Sequence, residues 1–324
     1  MKRRLTMNNT ICKRNMFCKK KIPLTVICAL MSALILGGCS SPTNSYNHST
    51  IKVEPSPQTS ENTEEDSKED SPSSEEKDSE DSTSEDGFDF NQKLTLKTPS
   101  PAAGESPRIL FVGNSHTFTN NLPGMFSELT TAMGHQSDVQ EVTEGTYTLT
   151  QFADSADPAG SVVNQKLTEE TWDFVILQEN TNDAFSTPEE TMLPAAKTLD
   201  EKIRTAGGQT GVLMTWSPKE GASIWSLEDV QSILAQNTIT VSEELDSLLI
   251  PGGVAFMRCM EQYPQIELWG EDGMHPSVAG SYLAACTAYA VIFQQSPEGC
   301  AYTADLDTET AAQLQSLSAG FIKK

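Results

Sequence analysis

Between residues 108 and 293 the chain alternates short apolar runs with longer amphipathic stretches. Short apolar runs between turn signals are typical of buried strands, and apolar residues at helical spacing predict helices. The predicted strands are residues 108–112, 138–143, 172–177, 211–216 and 248–256. The predicted helices are residues 122–133, 149–156, 187–206, 227–245 and 278–293. Because β and α elements alternate, we expect one three-layer α/β/α domain with a parallel sheet of about five strands, covered on both faces.

The first residues have the features of an export signal. Three lysines, Lys19, Lys20 and Lys21, precede an uncharged, mostly apolar stretch over residues 22–38. A positive segment, a short apolar segment and small residues before a cleavage point predict a secretory signal over residues 1–38. The ending Leu36-Gly37-Gly38-Cys39 resembles a bacterial lipobox. That resemblance implies that Cys39 becomes a diacylated N-terminus, which would anchor the protein outside the cytoplasm on the cell membrane. The alternative is an uncleaved transmembrane anchor, which needs about 20 apolar residues.

Residues 39–106 consist mainly of Ser, Glu, Asp, Pro and Thr. Such a segment buries too little apolar surface to offset the entropy of ordering, so we expect a disordered acidic tether. Much of the formal net charge of -23 of this 324-residue chain lies there. An acidic chain of this kind is a poor partner for nucleic acid, and we expect none. The remaining residues, 107–324, are predicted to form the single folded domain.

Three cysteines, Cys259, Cys286 and Cys300, fall within the predicted domain. Outside the cytoplasm they could form one disulfide and leave one thiol, although buried unpaired cysteines are the favoured state. Their spacing matches no metal-binding motif, and the sequence indicates no metal or organic cofactor.

Two short segments carry side chains suited to nucleophilic catalysis. Gly113-Asn114-Ser115-His116-Thr117 follows the first predicted strand, and Asp272-Gly273-Met274-His275-Pro276 lies near the C-terminal end. A serine hydroxyl needs an imidazole to accept its proton and a carboxylate to orient that imidazole. The alternatives are a turn or N-cap role for Ser115, a structural histidine at a helix start for His275 and a backbone cap for Asp272.

The choice of His275 as the base follows by elimination among four histidines. His48 lies in the polar tract, His116 is adjacent to the serine, and His135 follows a predicted helix. Asp272 precedes His275 by three residues, so it can reach the same imidazole from one loop. The sequence therefore predicts Ser115, His275 and Asp272 as the catalytic residues.

The ordered pair of segments resembles the SGNH, or GDSL-type, hydrolase superfamily over residues 108–297. The resemblance implies that His275 acts directly on Ser115 and that Asp272 orients it. It also implies an oxyanion hole made of the backbone N–H groups of Ser115 and Gly145 and the side-chain amide of Asn180. The segment Gln178-Glu179-Asn180-Thr181 departs from the family pattern, which has glycine first and aspartate last, so Gln178 or Asn182 are alternatives for the amide. Thr117 stands where the elbow of α/β-hydrolases has glycine, which disfavours that fold.

Several further residues have weaker assignments. His116, Gln178 and Trp269 are predicted to contact substrate, and His116 to line the pocket entrance. Trp216, Trp225 and Trp269 are expected either to stack on a sugar or to cover the core. Glu179 and Asp183 raise the alternative of a two-carboxylate glycosidase, but we interpret them as solvated loop charges.

Together these features predict a surface-anchored serine esterase that hydrolyses short acyl esters, such as acetyl esters, with an acylated carbohydrate as the expected substrate. One alternative is a lipase-like or thioesterase-like hydrolase acting on other acyl donors. Another is a glycan-binding lipoprotein whose catalytic site has decayed.

Overall fold

A parallel five-stranded sheet forms the centre of the molecule. The computed structural model describes residues 87–322. The strand order is β2-β1-β3-β4-β5, and every neighbouring pair is parallel. The strands are β1 (Arg108–Gly113), β2 (Asp138–Thr143), β3 (Phe174–Gln178), β4 (Gln209–Leu213) and β5 (Leu248–Ile250). The predicted fold class, an α/β domain with a five-stranded parallel sheet, is confirmed.

Helices cover both faces of this sheet. They are α1 (Ser115–Phe118), α2 (Leu122–Ala132), α3 (Leu149–Ala153), α4 (Pro158–Glu169), α5 (Thr181–Phe185), α6 (Met192–Thr205), α7 (Leu227–Glu244), α8 (Gly252–Gln262), α9 (Val278–Phe293) and α10 (Thr308–Ala319), with a 3₁₀ turn at Thr119–Asn121. Side chains alternate between the two faces along each strand. In β1, Ile109 and Phe111 therefore join one apolar cluster, while Leu110 and Val112 join the other.

The clearest difference from the predicted elements follows β5. The predicted strand 248–256 ends at Ile250, and α8 begins at Gly252. Pro251 has no N–H for a sheet hydrogen bond. A Cβ at Gly253 would overlap the carbonyl oxygen of Thr215 and the amide of Gln231. The glycine therefore lets the start of α8 pack closely against the segment that follows β4. The sequence also missed α4, α8 and α10, and α6 begins at Met192 instead of residue 187.

The N-terminal strap, residues 87–106, packs on the domain and corrects the predicted tether. Leu96 is buried, and Phe88, Phe90 and Leu94 pack against the larger apolar cluster. Arg258 donates to the carbonyl oxygens of Phe90 (2.7 Å) and Gln92 (2.9 Å). The ordered domain thus begins by residue 87 and not at residue 107. The spacing of Phe88 and Phe90, and of Leu94 and Leu96, is the signal that the acidic composition obscured.

The predicted signal, Cys39 and residues 39–86 of the predicted tether lie outside the described residues. Within residues 87–322, no helix has the length and apolar character needed to cross a membrane. Cys259, Cys286 and Cys300 are buried and unpaired, as the sequence favoured.

The strand order locates the functional end of the sheet. Strand β1 has β2 on one side and β3 on the other, so the order in which strands are added reverses between β1 and β3. Ligands of open α/β sheets bind beyond the carboxyl ends of the strands at such a switch point. Ser115 follows β1 and Asn180 follows β3, which brings both to this edge.

Candidate active site

The turn after β1 presents Ser115 at the start of a short helix. The side chain of Asn114 caps that helix by accepting from His116 N (3.1 Å). Gly113 is required because a Cβ there would overlap Thr117 Oγ1 and Gln178 Oε1. The sharp turn therefore depends on a glycine, an Asx cap and a tightly packed glutamine.

The segment Asp272–Pro276 forms a second turn that holds the imidazole. Asp272 Oδ1 accepts from the backbone N–H groups of Met274 (3.0 Å) and His275 (2.9 Å). Gly273 has φ of +66°, a left-handed conformation that a residue with a Cβ adopts at a cost. Ser277 then caps α9 by accepting from Gly280 N (3.1 Å).

Ser115, His275 and Asp272 form a continuous hydrogen-bonded chain. His275 Nδ1 lies 2.5 Å from Asp272 Oδ2, and His275 Nε2 lies 2.8 Å from Ser115 Oγ. The hydrogen bond to His275 lowers the pKa of Asp272 to about 2. An ionised carboxylate only accepts, so Nδ1 carries the hydrogen and Nε2 is left to accept from the serine hydroxyl. The geometry brings the three residues together in the order that nucleophilic catalysis requires.

On the other side of Ser115, four polar side chains tie three loops together. We call Asn114, Gln178, Glu179 and Asn180 the polar clamp. Gln178 Oε1 accepts from Asn114 N (2.8 Å) and Thr117 Oγ1 (2.8 Å), and Gln178 Nε2 donates to Asn114 Oδ1 (3.0 Å).

The loop after β2 is joined to the polar clamp by three hydrogen bonds. Asn114 Nδ2 donates to Tyr147 O (2.9 Å), Leu149 N donates to Glu179 Oε1 (3.0 Å), and Asn180 Nδ2 donates to Thr146 O (3.0 Å). Gln178 is 1 % exposed and Glu179 2 %. This corrects two predictions, because Gln178 is saturated inside the protein and does not contact substrate, and Glu179 is not a solvated charge.

The structure also separates Gly145 from the pocket. Its N–H donates to Glu144 Oε1 (3.1 Å), and the pocket is lined instead by the next residue, Thr146, which has φ of +66°. The predicted oxyanion role of Gly145 is thus not met by this arrangement. Asn180, in contrast, lines the pocket, and one of its two amide hydrogens is not used by Thr146.

Of the aromatic residues predicted near substrate, Trp269 and Trp216 lie in the core and His116 borders the pocket. Trp269 is 4 % exposed and donates to Ser217 O (3.0 Å), so its predicted contact with substrate is wrong. Trp216 is also buried. His116 borders the pocket but is largely buried, with its ring 5.3 Å from that of Trp216 and 5.5 Å from that of His275. Burial lowers the pKa of His116 to about 4, so it packs behind His275 as a neutral ring.

The pocket at Ser115 has a volume of about 430 Å³. Its lining consists of Asn114, Ser115, His116, Thr146, Thr148, Asn180, Thr181, Asn182, Asp183, Pro218, Met274 and His275. A slightly larger cleft of about 480 Å³, between residues 91–96 and 320–322, shares no residue with it and contains no nucleophile beside a base. Among residues 87–322, no cluster of His, Cys, Asp or Glu has the arrangement of a metal site.

Comparison with known proteins gives structural matches only. No protein-family model matches the chain, and no curated protein matches it by sequence. A protein from Slackia heliotrinireducens assigned to the SGNH hydrolases is 27% identical, with a TM-score of 0.51 over 57% of this chain and 98% of that chain. A DUF4886 family protein from Bacteroides uniformis is 15% identical, with a TM-score of 0.57 over 66% of this chain and 93% of that chain.

The second of these likenesses shows a shared fold. The first extends to a sequence identity of 27% with a protein assigned to the SGNH hydrolases. Together with the strand order and the Gly-Asn-Ser and Asp-x-x-His segments, this likeness supports the SGNH hydrolase superfamily.

Proposed function

We propose that this protein is a serine esterase that removes short acyl groups through an acyl-enzyme. The observation that supports it best is the hydrogen-bonded chain from Ser115 Oγ through His275 to Asp272. In this mechanism His275 Nε2 accepts the hydroxyl proton while Ser115 Oγ attacks the ester carbonyl. His275 then returns the proton to the leaving alcohol, and water repeats the sequence to release the acid.

The negative charge that develops on the carbonyl oxygen needs preorganised donors. We assign this role to the backbone N–H of Ser115 and to the amide hydrogen of Asn180 that Thr146 does not use. Asp272 does not take up the proton but stabilises the imidazolium that forms. Its lowered pKa keeps it ionised across the neutral range.

The pocket lining favours a short acyl group over a long one. The lining residues are mostly polar, among them Thr146, Thr148 and Asn182, and Pro218 and Met274 are its apolar members. A long acyl chain binds in an apolar channel, because a hydroxyl or amide left unpaired against it is costly. An acetyl ester of a hydroxyl-rich alcohol fits this lining better than a lipid does.

A labelling experiment tests the proposal. The purified protein should react with a fluorophosphonate probe and hydrolyse p-nitrophenyl acetate, and Ser115→Ala should do neither. Absence of labelling in folded wild-type protein would instead favour the alternative of a glycan-binding protein with a decayed site.

Trp225 supports a carbohydrate as the alcohol portion. It is 45 % exposed, and its ring meets the edge of Phe185, with 6.4 Å between centroids. Phe185 ends α5, whose first residues, Thr181, Asn182 and Asp183, line the pocket. An exposed aromatic face beside hydroxyl and amide groups matches a sugar ring, which has both an apolar face and polar edges.

Trp225→Ala should lower kcat/KM for an acetylated oligosaccharide by about 5-fold, the equivalent of roughly 1 kcal/mol of aromatic contact. Turnover of p-nitrophenyl acetate should be unchanged. Ile224→Ala is the matched control, because Ile224 is 88 % exposed on the same hairpin. Equal losses on both substrates would contradict the proposed carbohydrate substrate, while the proposed esterase activity would still stand.

We further propose that the protein is lipid-anchored through Cys39 outside the cytoplasm. The support is the sequence of the leader, with lysines, an apolar stretch and Leu-Gly-Gly-Cys in order. Two acyl chains on one cysteine suffice for stable anchoring. Cys39→Ala should move the protein out of the membrane fraction with its esterase activity intact. Intact mass of the wild type decides the alternative, since an uncleaved leader would indicate a transmembrane anchor.

A further inference from the structure

Glu179 is an acid buried beside the pocket without a charged partner. It lies between Gln178 and Asn180 and is 2 % exposed. Its Oε1 accepts from the backbone N–H groups of Leu149 (3.0 Å) and Asn180 (2.6 Å). Its Oε2 is buried and has no hydrogen-bond partner within residues 87–322.

This arrangement is costly for the fold. Burial raises the pKa of Glu179 to about 7, and Asp183 contributes in the same direction. A buried carboxyl with one unpartnered oxygen is disfavoured relative to an apolar side chain of similar size. An apolar side chain at this position would avoid that cost, but it could not accept the two hydrogen bonds that Oε1 receives.

Those two bonds join the loops that carry the pocket walls. Leu149 begins α3 directly after Thr148, and Thr146 and Thr148 line one wall. Asn180 lines the other wall. Glu179 therefore fixes the backbone of Asn180 relative to the loop after β2. The side-chain amide of Asn180 donates to the carbonyl oxygen of Thr146 in that same loop (3.0 Å).

Asn180 is held at three points, two on its side chain and one on its backbone. Its amide donates to Thr146 O, its Oδ1 accepts from Asn182 N (3.0 Å), and its own backbone N–H donates to Glu179. Only one amide hydrogen remains for the pocket. A donor used in catalysis must be held within fractions of an ångström of its productive position.

We propose that Glu179 is a positioning residue that fixes Asn180 for stabilisation of the oxyanion. The inference rests on the proposed esterase function and on the role assigned to Asn180. It assigns no proton transfer to Glu179, which acts only as a hydrogen-bond acceptor through Oε1. An uncharged acceptor of the same shape should therefore replace it.

Two variants of Glu179 distinguish its role as a hydrogen-bond acceptor from the space that its side chain fills. Glu179→Gln keeps an acceptor oxygen and should retain kcat on p-nitrophenyl acetate within about 3-fold. Glu179→Leu removes the acceptor and should lower kcat by about 10- to 100-fold with KM changed by less than about 3-fold, because a displaced oxyanion donor acts on the transition state. If the leucine variant does not fold, Glu179→Met replaces it, since its flexible thioether adapts to the same space.

Asp200→Leu is the matched control for loss of a buried acid. Asp200 is 7 % exposed, accepts from Thr210 Oγ1 (2.6 Å) and pairs with Arg204, and it lines no part of the pocket. It should lose stability while the folded fraction keeps its kcat. An equal fall in kcat for Asp200→Leu would show that loss of any buried acid lowers kcat, and that the effect at Glu179 is not specific to its position beside Asn180.

A double-mutant cycle with Asn180 decides the mechanism. If Glu179 acts through Asn180, adding Glu179→Leu to Asn180→Ala should lower kcat by less than about 3-fold more. Full additivity, or a wild-type kcat in Glu179→Leu, would overturn the inference. Failure of the wild type to turn over ester or to label at Ser115 would instead overturn the proposed function itself.

Discussion

The two sides of the pocket are built in opposite ways. The proposed catalytic pair keeps much of its side-chain surface in solvent, 52% for Asp272 and 33% for His275. Three of the four residues of the polar clamp are closed from solvent, with Asn114 and Gln178 at 1 % exposure and Glu179 at 2 %. One turn forms the first side, whereas three loops meet in the second. Near neutral pH, substitutions on the exposed side should therefore change chemistry far more than stability, and substitutions in the polar clamp should change chemistry and stability together.

The largest expected effect is at Ser115 and at its partner His275 on the exposed side. Ser115→Ala and His275→Ala should each lower kcat by roughly 10⁴- to 10⁶-fold, and the double variant by no more, because nucleophile and base act as one unit. The free energy of unfolding should change by less than about 1 kcal/mol, as for other solvent-accessible positions. Ester hydrolysis and urea unfolding on the same samples measure both quantities.

His135→Ala is the control histidine variant. His135 contacts Gln295 (3.0 Å) and the ring of Phe293 (4.3 Å between centroids), and it lines no part of the pocket at Ser115. It should keep wild-type kcat. Loss of turnover in His135→Ala, with His275→Ala active, would break the assignment of the exposed side.

The next effect is at Asn180, which lines the pocket and has an amide hydrogen that Thr146 does not use. Asn180→Ala should lower kcat by about 100- to 1,000-fold with little change in KM, the loss expected for one oxyanion donor. Asn182→Ala tests the neighbouring amide, which also lines the pocket. If the loss follows Asn182 instead, the donor lies two residues further along the chain, in the first turn of α5.

Sequence reasoning succeeded where the geometry is local. Asp272 and His275 are three residues apart in one turn, so their contact needs no knowledge of the remaining fold. It failed for Gln178 and Glu179, because their burial depends on partners 30 to 64 residues away, at Leu149 and Asn114. Polar residues after a strand usually face solvent. The exception arises from tertiary packing that no local pattern records.

The same division holds for the fold. The apolar strands were predicted because their pattern is self-contained, and α/β alternation then fixes a parallel sheet. The strand at 248–256 was overextended because the turn at Pro251 depends on the close approach of Gly253 to Thr215. The N-terminal strap was missed because its few apolar residues are dilute among polar ones and gain stability only from packing on the finished domain.

Gln178 tests the coupling of chemistry and stability. Gln178→Leu removes an acceptor for Asn114 N and Thr117 Oγ1. Leaving buried groups unpaired should lower the free energy of unfolding by about 2–4 kcal/mol. The displaced Ser115 turn should lower kcat by about 10-fold.

Gln165→Leu is the exposed control for Gln178, since Gln165 bonds only Glu169 on the surface of α4. Its unfolding free energy should stay within about 0.5 kcal/mol of wild type. A stable Gln178→Leu protein with normal kcat would show that the polar clamp supports neither the stability of the fold nor the chemistry at Ser115.

The smallest effect is a pH dependence of stability, and its sign differs between the two sides. Burial raises the pKa of Glu179 from 4.5 to about 7. Below about pH 4.5 the carboxyl is protonated in both the folded and the unfolded chain and imposes no ionisation penalty. As pH rises towards 7 the unfolded chain loses the proton first, so the folded state loses stability, by up to about 3 kcal/mol above pH 7.

Glu179→Gln has no such titration, so its unfolding free energy should rise relative to wild type between pH 4.5 and 8. Asp272→Asn should behave oppositely, because the lowered pKa of Asp272 stabilises the folded state above its ordinary pKa of 3.8, and this is lost as pH falls towards 2. Urea unfolding at several pH values compares both variants with wild type, and Glu169→Gln, an exposed acid in α4, serves as the control. Parallel curves for wild type and Glu179→Gln would mean that Glu179 reaches solvent in the folded protein, and the contrast between a buried and an exposed side of the pocket would then be lost.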